Sequence, residues 1–102
     1  MRKILQSGAN AIYLSSGVIW EMAIKQSIGR LDVPQNLEDV LREENIEVLP
    51  IKAAHALEVA SLPHHHRDPF DRIQIAQARL EGMTLISCDE SFERYNIELI
   101  QS

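Results

Sequence analysis

The sequence lacks the cysteines that would staple it, the basic excess that would grip a polyanion, and any apolar run that would cross a bilayer. Cys88 is the single cysteine, so no internal disulfide forms. It sits in the apolar run Leu85-Ile86-Ser87-Cys88 and reads as a small buried hydrophobe. Ten Lys and Arg stand against fifteen Asp and Glu, a formal charge of −5, which argues against a broad basic nucleic-acid face. Nucleic acid stays possible, because a divalent cation held between an acidic site and a phosphate lets an acidic protein approach a strand. No stretch reaches the roughly 18 apolar residues of a spanning helix. The opening Met1-Arg2-Lys3-Ile4-Leu5-Gln6 turns polar before a signal-peptide core forms, so a cytoplasmic protein with no membrane partner is expected. Prolines and glycines number only four each, and 45% of the 102 residues are hydrophobic, which points to one folded domain over residues 1–102.

Patterning along the chain alternates between strand and helix. Residues 1–9 read as the end of a helix, and Ala11-Ile12-Tyr13-Leu14 as a buried strand, with Ser15 or Ser16 capping the next helix. Trp20, Ile24 and Ile28 recur every four positions with Met22 and Ala23 beside them, so an amphipathic helix from Val18 to Ile28 is expected, its apolar side toward the core and its end at Gly29. A helix over 36–44, a strand over 46–49 ended by Pro50, and a helix over 52–62 closed by Pro63 come next. Asp68 suits an N-cap, Pro69 the first helical position and Gly82 the C-terminal cap, with Phe70, Ile73, Ala76 and Leu80 at helical spacing between them. A strand over 83–88, a short helix near 90–94 and a strand over 97–100 complete an α/β pattern with a mainly parallel sheet flanked by helices.

Ligands of open α/β sheets bind outside the carboxyl ends of the strands, so acids just after strands carry the chemical interest. Glu21 lies in the helix after the strand at 11–14, Asp68 and Asp71 open the helix at 69–82, and Asp89 directly follows the strand at 83–88. Carboxylates gathered from separate elements repel unless a hard cation such as Mg²⁺ or Mn²⁺ joins them. Each acid also has a purely structural role available. Asp68 and Asp71 suit a cap and its first turn, Asp89 suits a cap, and Glu21 with Lys25 makes an i, i+4 pair. His64-His65-His66-Arg67 does not read as zinc-binding, because successive extended residues diverge and only His55 remains as a further histidine. Phosphate contact by His66 or Arg67 suits that segment better, and plain solvent exposure better still.

The run Leu62-Pro63-His64-His65-His66-Arg67-Asp68-Pro69-Phe70-Asp71-Arg72, continued by Ile75-Ala76-Gln77-Ala78, resembles the signature of VapC-like PIN domains, ribonuclease toxins of toxin–antitoxin pairs. Ser16, Trp20-Glu21, Ile24-Lys25 and Gly29-Arg30-Leu31 resemble a second block of that family, and Leu85-Ile86-Ser87-Cys88-Asp89 with Phe92 and Tyr95 a third. The resemblance implies a three-layer PIN-like fold and an Mg²⁺- or Mn²⁺-dependent endoribonuclease. It also implies a homodimer silenced by a VapB-like antitoxin. Glu21, Asp71 and Asp89 then fall on the catalytic and metal-binding positions, with Asp68 as a further, less central metal position. Lys25, His66, Arg67 and Arg72 become the cations facing RNA.

One departure stands out. The family opens with a strand carrying an aspartate, and no acid precedes Glu21. By comparison with the family, the first strand and one helix are expected to be missing, the edges of the neighbouring strands to be open, and cleavage to be poor. The alternative is a function of another class, in which the chain is a catalytically inactive remnant serving as an antitoxin-binding or dimerisation module.

Overall fold

Between the apolar stretch ending at Gln6 and the one starting at Ala11 lies Ser7-Gly8-Ala9-Asn10, a run of turn-forming residues. A computed structural model describes residues 2–63 and 68–88 of the chain. In it β1 covers Arg2–Gln6 and β2 covers Ile12–Ser15. The Ser7 and Asn10 amides donate to the carbonyls of Ala11 and Ser7, both at 2.9 Å, and the Ser7 hydroxyl accepts from the Ala11 amide. Asn10 takes the left-handed conformation at φ 67°, which asparagine tolerates. The expected helix over residues 1–9 is therefore a strand, because the turn returns the chain into a hairpin.

Further along the chain lie α1 (Ser16–Ser27), α2 (Leu37–Glu43), β3 (Ile46–Leu49), α3 (Ala53–Glu58) with a 3-10 turn at Val59–Ser61, α4 (Pro69–Glu81) and β4 (Thr84–Cys88). The expected helix at 90–94 and strand at 97–100 lie outside the described residues. The sheet has the order β3-β2-β1-β4, with β2 and β3 parallel and β1 antiparallel to both of its neighbours. It is a mixed sheet and not the mainly parallel one expected. A short hairpin link can only reverse direction, whereas β2 reaches β3 through helices. β1 lies between β2 and β4 in the sheet, pairing with β2 at Leu5 and Gln6 and with β4 along its whole length.

Successive residues of a strand point to opposite faces, and Ile4 and Leu5 are both buried, so β1 is covered on both sides. Ile4 joins Leu14, Val18, Met22, Leu37, Leu41 and Ile46 in the main core. α1 contributes Val18 and Met22 to it, while Trp20, Ile24 and Ile28 are 62, 40 and 60% exposed. The expected core row of α1 is thus its outer row. Residues 18 and 22 share the same i, i+4 spacing as 20, 24 and 28, and periodicity does not say which row meets the sheet.

Candidate metal and phosphate site

Two helix starts build the site. Ser15 caps α1 by accepting from the Gly17 amide at 3.0 Å, and Asp68 caps α4 by accepting from the Phe70 amide at 2.8 Å. Pro69 opens α4 and Gly82 closes it at φ 65°. The helices approach closely at Gly17, where a β-carbon would lie 3.2 Å from both Ile51 and Ile73. Trp20 and Phe70 meet edge to face with centroids 5.2 Å apart. Each ring is the chain neighbour of an acid, so this contact ties the turn carrying Glu21 to the turn carrying Asp71.

A hollow of about 200 Å³ lies between them, lined by Lys3, Val18, Glu21, Lys25, Asp68, Asp71 and Gln74. Lys3 pairs with Ser87 across β1 and β4, which places the hollow's sheet wall at the carboxyl end of β4. Three of the four predicted acids, Glu21, Asp68 and Asp71, therefore share one cavity. Asp89 and the predicted phosphate contacts His66 and Arg67 lie outside the described residues. Among the described residues, no three His, Cys, Asp or Glu side chains form a cluster able to hold a metal ion by themselves.

Each acid has a positive or polar neighbour. Lys3 Nζ lies 3.8 Å from Asp71 Oδ1, and Lys25 Nζ lies 4.0 Å from Glu21 Oε2, both ion pairs too long for direct hydrogen bonds. Gln74 is 3% exposed; its Nε2 donates to the Phe70 carbonyl at 3.2 Å, and its Oε1 has no partner among the described residues. Arg72 donates to the carbonyls of Pro63 and Val59 at 3.0 and 2.9 Å, anchoring the chain ahead of residues 64–67. Lys3 and Gln74 were not among the residues the sequence singled out. The turn residues at 7–10 were the available signal for Lys3, since a hairpin there makes its segment a strand.

His55 has a role unrelated to the other histidines. It is 1% exposed; Nδ1 accepts from the Lys52 amide at 2.9 Å, and Nε2 faces Glu81 Oε2 at 2.8 Å. An amide facing Nδ1 leaves the ring proton on Nε2, which donates to Glu81 and clamps α3 to α4. A larger hollow of about 680 Å³ joins Glu38, Arg42 and Glu47 to apolar walls from Ile19, Leu41 and Ile46. It collects none of the acids or cations singled out from the sequence, so the smaller cavity is the candidate site.

The family model of the PIN domain matches residues 1–98. The chain belongs to the PIN domain family. No curated protein and no solved structure matches it. PIN domains are in general metal-dependent nucleases, which makes nucleic acid the substrate class of the family. In this PIN domain the carboxylates of the cavity and the Gln74 carbonyl oxygen are all hard oxygen donors, the set that suits Mg²⁺ or Mn²⁺. No helix among the described residues is long and apolar enough to cross a membrane.

Proposed function

We propose that this PIN domain is a divalent-cation-dependent endoribonuclease of the VapC-like toxin type, kept silent by a VapB-like antitoxin and assembled as a homodimer. The observation that carries the reading is the convergence of Glu21 from α1 with Asp68 and Asp71 from α4 on one polar cavity. Glu21, Asp71 and Asp89 hold the Mg²⁺ or Mn²⁺, with Asp68 beside them. The bound cation supplies an activated water and offsets charge building on the phosphate. Lys25, at the rim beside Glu21, faces the RNA backbone together with His66 and Arg67. Arg72, which ties down Val59 and Pro63, holds that segment in place for the strand and adds a positive charge of its own.

The test is a time course of RNA cleavage with Mg²⁺, with Mn²⁺ and with chelator. Slow cleavage that needs the cation and vanishes in Asp71→Asn is expected. Cleavage that survives chelator or Asp71→Asn overturns the reading.

A second reading makes the chain a non-catalytic binding module. The exposed row of Trp20, Ile24 and Ile28 favours it, because so much apolar surface on one helix suits a partner's contact. A chain that never cleaves RNA but forms stable dimers would decide for this module.

A further inference from the structure

We infer that Lys3 is the resident counter-cation of the acidic cavity, so that a divalent metal ion binds there only in competition with the Lys3 ammonium group. The inference rests on the cation-binding role proposed above and concerns what sets that site's affinity.

Three carboxylates line the cavity against two ammonium groups. The two lysines are not equivalent. Lys25 sits one turn from Glu21 on the same helix and is 41% exposed, so its long stem can swing into solvent without disturbing the fold. Lys3 is 26% exposed and projects from β1, where it sits opposite Ser87 inside the pairing that runs from Arg2–Cys88 to Gln6–Thr84 along β4. Its Cα cannot retreat, and its ammonium stays 3.8 Å from Asp71. A divalent ion reaching Asp71 meets that fixed positive charge within a few ångströms, in a half-buried setting where salt screens it little.

Gln74 independently points to a cation in the cavity. Its amide nitrogen is tied to the Phe70 carbonyl, its Oε1 is buried with no partner among the described residues, and the residue lines the same cavity. A buried carbonyl oxygen left without a donor is costly, and a cation is one of the few groups that satisfies it beside carboxylates. Ammonium and divalent metal are thus alternative occupants of one site.

The experiment is calorimetric titration of the full chain with Mn²⁺, independent of any cleavage. Lys3→Met keeps the stem and removes the charge. It is expected to bind Mn²⁺ at least about 10-fold more tightly than the unmodified chain, the scale on which a neighbouring group moves metal affinity. Lys3→Arg should bind as weakly as the unmodified chain. Lys52→Met, which removes the same charge from an exposed position, should leave affinity unchanged. Adding Asp71→Asn to Lys3→Met should abolish the gain. Circular dichroism checks that each variant folds, and Lys3→Gln replaces Lys3→Met if the latter does not. An affinity that Lys3→Met or its Gln substitute leaves equal or lowers, or a gain matched by Lys52→Met, overturns the role of Lys3 while leaving the cation site standing. Absence of Mn²⁺ binding in every form overturns the cation site itself.

Discussion

Asp68 holds two roles that a pair of substitutions separates. Its Oδ1 accepts the Phe70 amide at 2.8 Å with the backbone extended at φ −70° and ψ 116°, the geometry of an N-cap. Asp68→Ala removes that hydrogen bond, a loss of about 1 kcal/mol, and with it the favourable charge at the positive helix end, a further ~0.3–1 kcal/mol. For a domain of this length each kcal/mol lowers Tm by about 4–8 °C, so the alanine variant should melt roughly 5–15 °C lower. Asp68→Asn keeps the accepting oxygen and loses only the charge, so its Tm should fall by no more than about 4–8 °C, the shift that one kcal/mol produces. Asp71 lies in the first turn of α4, so fraying in Asp68→Ala should also weaken Mn²⁺ binding, and Asp68→Asn should restore most of it. Thermal melts by circular dichroism and Mn²⁺ titration on the same samples read both quantities. If Asp68→Asn melts like the unmodified chain yet loses Mn²⁺ as completely as Asp71→Asn, Asp68 acts on the metal as a ligand and not through the cap.

Met22→Ala empties a fully buried core position between α1 and the sheet and should cost about 2–5 kcal/mol in a urea denaturation series. Glu81→Ala leaves the buried Nε2–H of His55 without its acceptor and should destabilise by about 1–3 kcal/mol; Glu81→Gln, which still accepts, should recover most of that in the same measurement. Trp20→Ala with Ile24→Ser should preserve the fold, since both side chains are exposed, but should shift mass from dimer to monomer by light scattering; an unchanged mass would move the dimer contact elsewhere.

Local chemistry settled much of this structure. The cap, proline and glycine around α4 fix its ends within one residue, because a side-chain acceptor, a locked φ and a left-handed glycine act on nearest neighbours. The same holds for β3 at Ile46–Leu49 and for the serine cap of α1. The acids of the site were legible as types and positions after strands. That Glu21, Asp68 and Asp71 share a cavity depended on how closely α1 and α4 pack at Gly17, and on the ring contact between Trp20 and Phe70. Which row of α1 faces inward was also a tertiary outcome, since 18 and 22 have the same period as 20, 24 and 28. Above all, the direction of β1 and the arrival of Lys3 beside Asp71 come from sheet pairing between distant segments. Strand pairing depends on which backbone edge is left open by the rest of the fold, and no residue within Arg2–Gln6 encodes that by itself.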